Sequence, residues 1–277
     1  MKKIKYGIMQ GRLSPSKKNL IQFFPSETWQ DEFKPARKLG FKFIEWTLDY
    51  NNLNQNPLLN HKSRKKIKRL CKKYNIKIKS VTCDCFMEKP FWKIKNNDKY
   101  LLDFRNVVDA SSKFGIKYLI IPLVDNGSLK NYHHVKKAIK VFQKELRMIK
   151  KKNVKILFES DFEPSALKKF IKRFDLKYFG INYDTGNSAG LGYDIDSEFN
   201  YYGKYVKNIH IKDKKFKGKT VRLGKGDAQF ENLEKNIKRL KYKGLVVLQT
   251  ARSKVKQDYN EAKINFKFIK EKLKNND

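Results

Sequence analysis

The sequence predicts an α/β fold, a single-domain (β/α)8 barrel in which eight parallel strands close into a cylinder surrounded by helices. Eight short β-rich runs alternate with eight longer amphipathic stretches along 277 residues, and both the number of units and the length fit this fold. No linker or low-complexity segment interrupts the alternation, so we expect residues 1–277 to form one domain. An open, doubly wound sheet is the alternative. The turn after its first predicted strand, "MQGRLSP", lacks the G-x-G-x-x-G pattern of that fold.

The predicted elements follow one another regularly. The β-rich runs predict strands at 4–10, 42–48, 76–84, 117–123, 154–160, 178–184, 206–212 and 244–250. The amphipathic stretches predict helices near 28–39, 61–75, 98–114, 131–152, 164–174, 196–204, 228–241 and 257–274. Five helix-to-strand joints carry Gly or Asn, which adopt the left-handed conformation that ends a helix: "KLGFKFIEW", "KYNIKIKSV", "KFGIKYLII", "KKNVKILFE" and "KYKGLVVLQ".

The chain is strongly basic, with 64 basic residues, 28 acidic residues and a formal net charge of +36. A charge of this size is typical of proteins that bind nucleic acid or anionic surfaces. The basic residues are mostly lysines spread over every predicted helix, with no basic arm and no arginine cluster. This distribution favours solvated helix faces over a specific nucleic-acid partner. The positive field would still assist the binding of a small anionic substrate.

The sequence also bears on compartment and partners. The sequence contains no run of 18 or more apolar residues, so we expect no membrane span. The stretch "MKKIKYGIMQGRL" lacks the apolar segment of a signal peptide and predicts a first strand. Cys71, Cys83 and Cys85 are too few and too unevenly spaced for a disulfide framework. We interpret the C-x-C pair as two small buried residues and expect a cytoplasmic protein. A homo-oligomer is compatible with the sequence.

Polar side chains end most of the predicted strands, and in such a barrel the C-terminal strand ends form the active site. The first three strands end on Gln10, Glu45 and Asp84, and the last four end on Glu159, Asp184, His210 and Gln249. Two carboxylates, an imidazole and an amide oxygen would suit one divalent cation such as Mn²⁺, Co²⁺, Mg²⁺ or Zn²⁺.

Each of the last four residues also has a structural interpretation, which the residues alone leave open. Asp184 stands where an aspartate would cap the next helix. Glu159 could pair with a lysine, His210 could be a hydrogen-bonded core histidine, and Gln249 could bind loop backbone.

Across nearly its whole length the chain resembles the sugar phosphate isomerase/epimerase family of xylose-isomerase-like TIM barrels. The stretches that carry the resemblance are "GIMQGRLSP", "QFFPSETWQDEFKPARKLGFKFIEWTLDYNNLNQNPL", "SVTCDCFM", "LFESD", "NYDTGN", "NIHIKDK", "LGKGDAQF" and "LQTAR". The resemblance implies that Glu159, Asp184, His210 and the residue at 249 bind one divalent metal. It also implies that two glutamates move protons at the carbon beside a sugar carbonyl, with Glu159 as one of them.

Gln249 departs from the family pattern, because a second glutamate is expected there. A glutamine offers a carbonyl oxygen to a metal but cannot act as a general base at neutral pH. Three routes remain open. Glu159 could remove and return a proton on one face of an enediolate, a hydride shift could replace proton transfer, or binding could persist without turnover.

Further residues are candidates for holding the substrate. In the loop after the seventh strand, Lys212 follows the histidine and Lys225 stands between two glycines, a pattern that fits either a phosphate-binding turn or a plain turn capped by Asp227. Arg252 in "LQTAR" is a candidate for an anionic group of the substrate. The substrate-binding candidates are Gln10, Glu45, Asp84, Asn187, Lys212, Lys225 and Arg252, and for Glu45 a buried structural role is favoured.

The resemblance leaves other activities to weigh. A DNA-repair endonuclease of the same barrel superfamily would agree with the charge, but its histidine-rich cluster of several metals cannot be built from four histidines of which one ends a strand. A sugar-phosphate binder without turnover is supported by Gln249. A dehydratase on the same scaffold would share the enolisation step.

Overall fold

The structure is a computed structural model that describes residues 4–16, 22–252 and 258–273. The predicted barrel is confirmed, because eight parallel strands close in the order β1-β10-β7-β6-β5-β4-β3-β2. Strands β8 and β9 form a small antiparallel hairpin between β7 and β10. The strands are β1 Tyr6–Met9, β2 Phe43–Thr47, β3 Lys77–Thr82, β4 Tyr118–Leu123, β5 Lys155–Ser160, β6 Phe179–Asp184, β7 Val206–Ile211, β8 Asp213–Lys214, β9 Thr220–Val221 and β10 Leu245–Leu248.

The helices surround the barrel. One predicted helix is divided into two, and two short helices were not predicted. The stretch 131–152 forms two helices that are separated at Glu145, and two short helices, α3 and α8, begin where β3 and β6 end. The helices are α1 Phe33–Leu39, α2 His61–Tyr74, α3 Asp84–Glu88, α4 Asp98–Phe114, α5 Tyr132–Lys144, α6 Leu146–Lys152, α7 Pro164–Ile171, α8 Thr185–Leu191, α9 Ile195–Tyr202, α10 Phe230–Arg239 and α11 Asp258–Lys272.

Four of the five predicted helix ends adopt the expected left-handed backbone. The φ angles are 98° at Gly40, 49° at Asn75, 94° at Gly115 and 51° at Asn153. At the fifth joint the prediction is wrong, because Lys241 and not the following glycine takes the positive φ, at 48°.

Two apolar layers hold the barrel. Met9, Phe43, Leu245 and Val247 fill its interior, and a much larger cluster packs the outer faces of the strands against the helices. The strand register places Asp184 beside His210, so residues from consecutive strands meet at one level. No helix in the described part of the chain combines the length and apolar character that crossing a bilayer requires.

Candidate metal centre and active site

Three of the four predicted metal ligands meet at the C-terminal end of the barrel. Glu159 and His210 lie one residue before the C-terminal ends of β5 and β7, and Asp184 is the last residue of β6. All three are buried, and one ligand atom from each lies within 4.8 Å of the ligand atoms of the other two. Parallel strands bring their ends to the same rim, which explains why residues far apart in sequence converge.

The imidazole of His210 is held from behind by a buried glutamate. Its Nε2 lies 2.7 Å from Oε1 of Glu45. The carboxylate of Glu45 also accepts hydrogen bonds from Ser80 and Asn208 at Oε2, at 2.6 and 2.9 Å, and from Thr82 at Oε1, at 2.6 Å. Since an ionised carboxylate only accepts, Nε2 carries the proton and Nδ1 is turned toward the carboxylates of the rim. A carboxylate behind a histidine is a common way to orient a metal ligand.

The charges around His210 favour a cation at this point. Burial lowers the pKa of the imidazole, but Glu45 and Glu159 outweigh burial and raise the pKa to about 10. The site therefore attracts positive charge. Nδ1 faces Oε2 of Glu159 at 3.1 Å and Oδ2 of Asp184 at 3.9 Å, so an ion bound there would displace the Nδ1 proton.

Two amides hold the carboxylate of Glu159. Asn182 donates to its Oε2 at 2.6 Å, and Asn187 donates to its Oε1 at 2.7 Å. Asn182 and Asn208 were not predicted. They stand two residues before Asp184 and His210, so the two-residue period of inward-facing side chains on β6 and β7 could have identified them.

Asp184 caps a helix with one carboxylate oxygen and turns the other toward the rim. Its Oδ1 accepts hydrogen bonds from the backbone N–H groups of Gly186 and Asn187, both at 2.8 Å, and so caps helix α8. Its Oδ2 faces the rim and lies 2.7 Å from Nζ of Lys212. Burial raises the pKa of Asp184, but Lys212 and His210 outweigh burial and lower it, so the carboxylate stays ionised.

Gln249, the fourth predicted ligand, lines the neighbouring cavity with an unpaired oxygen. Its side chain is 8% exposed, and its Oε1 has no hydrogen-bond partner among the described residues. Buried polar atoms are almost always paired, so this oxygen points to a ligand. Two carboxylates, an imidazole nitrogen and this amide oxygen form a donor set that fits a divalent cation.

A cavity of about 490 Å³ opens beside these groups. Glu159 and Gln249 line it, together with the predicted substrate residues Asp84, Asn187 and Lys212. The cavity wall also contains lysines of the β8–β9 hairpin that were not predicted, Lys214 and Lys219.

Asp84 is the unusual member of this cavity wall. Its Oδ2 has no hydrogen-bond partner among the described residues, and its side chain is 8% exposed. Burial, and then the negative charges of Asp49 and Glu159, raise the pKa of Asp84 well above its usual range.

The other four substrate candidates, Gln10, Glu45, Lys225 and Arg252, are not among the residues that form the described wall of this cavity. Gln10 is buried and accepts from the backbone N–H of Thr47, and Glu45 stands behind His210. Arg252 packs over the ring of Phe23 at 4.5 Å and lies 3.6 Å from a carboxylate oxygen of Asp258. Lys225 is exposed on a turn outside the described wall of this cavity.

The predicted phosphate turn is filled by the protein itself. Oδ2 of Asp213 accepts from the N–H groups of Gly224 and Gly226 at 2.8 and 2.9 Å, and Oδ1 accepts from Ala228 at 3.0 Å. A Cβ at Gly226 would lie 2.1 Å from Oδ1, which explains the glycine. Neither predicted alternative is seen, because Asp227 bonds to the N–H of Phe216 instead of capping α10.

Comparisons with known proteins agree with this architecture. The family model described as "Xylose isomerase-like TIM barrel" matches residues 33–272. No curated protein matches the chain significantly.

Solved structures share the fold at low sequence identity. D-Psicose 3-epimerase from Clostridium cellulolyticum H10, solved with D-tagatose, has a TM-score of 0.75 and 13% identity over 98% of this chain and 99% of its own. The 3-keto-D-glucoside 4-epimerase of E. coli has a TM-score of 0.71 and 14% identity over 97% and 100%. A xylose isomerase-like protein from Mycobacterium smegmatis, solved with magnesium, has a TM-score of 0.70 and 15% identity over 98% and 96%.

Proposed function

Because the chain belongs to the xylose isomerase-like TIM barrel family, we propose that it is a divalent-metal-dependent isomerase or epimerase of a sugar or sugar phosphate. The observation that carries the proposal is the convergence of Glu159, Asp184 and His210, beside an open cavity that Gln249 lines with an unpaired oxygen. The solved structures of similar fold include sugar epimerases, which supports the class of reaction.

The proposed mechanism assigns proton transfer to Glu159. When bound by Glu159, Asp184, His210 and Gln249, a divalent cation would polarise the sugar carbonyl and make the neighbouring C–H more acidic. Glu159 takes that proton and returns it to the neighbouring carbon or to the same carbon. Asn182 and Asn187 fix its carboxylate through hydrogen bonds of 2.6 and 2.7 Å, which keeps the base aimed at one place.

Epimerisation needs a second group that can deliver a proton to the opposite face of the sugar. Gln249 cannot do this. Besides Glu159, the carboxyl groups in the described cavity wall belong to Asp84 and Asp125. Asp84 is buried with one unpaired oxygen, and burial raises its pKa well above its usual range, which favours the protonated form, so it is our candidate donor.

The cavity also suggests how an anionic substrate would lie. Lys214 and Lys219 form part of its wall on the side of the β8–β9 hairpin, whereas Asp84 lies in the part of the wall that follows β3. A phosphate would therefore be placed toward the hairpin. This assignment replaces Lys225 and Arg252 as the residues proposed for the anionic end.

Solvent proton exchange tests the proposal directly. Free and phosphorylated ketoses are incubated with the protein and Mn²⁺ in D₂O, and deuterium entry beside the carbonyl is followed by NMR. We expect exchange with at least one sugar, and Glu159→Gln should abolish it. Glu163→Gln, a change at the exposed start of α7, is the matched control and should keep the wild-type rate. Exchange that persists in Glu159→Gln would refute the assigned base.

A second variant separates epimerisation from isomerisation. If Asp84 delivers a proton to the opposite face, Asp84→Asn should still exchange deuterium through Glu159 but should no longer form the epimer. If both activities are unchanged, Asp84 has no part in proton transfer. The matched control is Asp125→Asn, in the same cavity wall.

Because Gln249 cannot act as a second base, one other function is supported, the binding of sugars or sugar phosphates without turnover. Such a protein would bind a ketose in the presence of Mn²⁺ and show no deuterium exchange with any sugar. A DNA-repair nuclease has no comparable support, because within the described residues the metal-type cluster contains one histidine.

A further inference from the structure

The face of the barrel opposite the candidate site carries a concentration of lysines. A lysine lies within two residues of the N-terminal end of every barrel strand: Lys5, Lys42, Lys77, Lys117, Lys155, Lys177, Lys207 and Lys243. Because the strands are parallel, all these positions belong to one rim. The positive charge of the chain is therefore not only a property of its helix surfaces.

A cavity of about 510 Å³ opens on this rim, and we call it the lysine pocket. Its polar wall is basic, and its apolar wall includes two tyrosine rings. The side chains that define it are Tyr118, Lys204, Val206, Lys207, Leu240, Lys241, Tyr242 and Lys243. The described wall contains no carboxylate.

The ammonium groups near the lysine pocket meet neutral partners. Nζ of Lys207 donates to the carbonyl of Lys204 at 3.0 Å, and Nζ of Lys155 donates to the carbonyl of Leu176 at 3.1 Å. Burial lowers the pKa of both lysines, and the charge of Lys207 lowers that of Lys155 further. Within the described part of the chain, neither ammonium group is paired directly with a carboxylate.

The acidic residue that acts on Lys155 is already engaged. Asp175 raises the pKa of Lys155 slightly against burial, but its carboxylate lies 3.1 Å from Nζ of Lys150. An external anion in the lysine pocket would relieve the repulsion between the ammonium groups.

We propose that the lysine pocket binds a small anion that carries at least two phosphate groups. Its volume falls within the usual range of small-molecule sites, and it is concave, so a compact ligand fits better than a nucleic-acid duplex. Several lysine charges around one concave wall suit a diphosphate. The apolar wall formed by Val206, Leu240 and the two tyrosines would accept an organic group attached to it.

The ligand could be free diphosphate or a nucleotide, and the experiment separates the two. Isothermal titration calorimetry in EDTA-containing, metal-free buffer measures the binding of pyrophosphate and of ADP to the full chain. Equal affinities would show recognition of the diphosphate alone. Tighter binding of ADP would show that the apolar wall also contacts the nucleoside.

Charge-matched variants locate the binding. Lys207→Gln/Lys243→Gln should weaken pyrophosphate binding at least about tenfold, since two charge-assisted contacts are lost. Lys136→Gln/Lys140→Gln on the exposed face of α5 removes the same charge and should change affinity less than about twofold. An unliganded melting temperature equal to or above that of the wild type would show that Lys207→Gln/Lys243→Gln is folded.

Three results would overturn the proposal. Pyrophosphate could fail to bind, the α5 variant could lose as much affinity as the pocket variant, or Lys214→Gln/Lys219→Gln alone could abolish binding. The second result would indicate a general field effect, and the third would place the anion in the cavity beside Glu159. Because the lysine pocket lies at the other end of the barrel, these outcomes do not depend on the isomerase proposal.

Discussion

Nε2 of His210 lies 2.7 Å from Oε1 of Glu45, and both side chains are fully buried. Glu45 comes from β2 and His210 from β7, which are not neighbours in the barrel, so this contact crosses its interior. It fixes which nitrogen of the imidazole faces the candidate ligands Glu159 and Asp184. A residue buried beneath the rim thus sets the orientation of an imidazole at the rim.

The first prediction concerns this contact. Glu45→Gln should weaken Mn²⁺ binding by about 10- to 100-fold, because the orientation of the imidazole and the charge behind it are both altered. Calorimetric titration with Mn²⁺ measures the effect. NMR titration of the imidazole without metal should also show that the pKa of His210 falls from the raised value of about 10.

Glu234→Gln serves as the control for this experiment, because Glu234 forms a surface pair with Lys238 and lies outside the site. Its Mn²⁺ affinity should equal that of the wild type. An unchanged affinity in Glu45→Gln as well would show that Glu45 does not support a metal ligand.

A second prediction uses the departure at position 249. Gln249→Glu should tighten Mn²⁺ binding, because a charged oxygen replaces a neutral one in the cavity wall that also contains Glu159. We expect at least about a tenfold gain in calorimetry, corresponding to roughly 1.4 kcal/mol. Gln143→Glu on helix α5 adds the same charge far from the rim and controls for the net charge. Weaker binding in Gln249→Glu would remove this residue from the ligand set.

The third prediction concerns the glycine turn. Asp213→Asn should lower the free energy of unfolding by roughly 2–4 kcal/mol, because an amide cannot accept all three N–H bonds that the buried carboxylate accepts. Urea denaturation measures the loss. Asp227→Asn, in the same loop but exposed, is the matched control and should cost clearly less. Equal losses would mean that the buried bonds of Asp213 add nothing to stability.

A fourth prediction follows from Glu32, which is buried and accepts hydrogen bonds from the N–H groups of Gly11 and Leu13, both at 3.0 Å. Burial outweighs these bonds and raises its pKa from 4.5 to about 7. The folded protein therefore binds a proton more tightly than the unfolded chain. The contribution of Glu32 to the free energy of unfolding should fall as the pH rises from about 4.5 to about 7, and should then stay constant.

Comparison with Glu32→Gln isolates this contribution. The difference in unfolding free energy between wild type and variant should decrease by up to roughly 3 kcal/mol across that window. Urea denaturation at pH 5, 6, 7 and 8 measures it. Parallel curves for the two proteins would show that Glu32 does not titrate in this range.

The sequence alone determined the barrel and its rim. The alternation of apolar runs and amphipathic stretches counted the strand-helix units, and the last polar residue of each strand identified Glu159, Asp184, His210 and Gln249. Asn182 and Asn208 lie two positions earlier on β6 and β7 and follow the same period, although they are not the last polar residues of their strands. Such features are local, because strand period and helix-capping chemistry depend on a few neighbouring residues.

Tertiary structure decided what each polar residue contacts. It placed Glu45 behind His210, filled the glycine turn with Asp213 and packed Arg252 against Phe23 away from the cavity. It also gathered the lysines of eight strand starts into one rim, and two of them, Lys207 and Lys243, line the lysine pocket. These partners are far apart in the chain, and only the closure of the barrel brings them within the few ångströms over which hydrogen bonds and buried charges act.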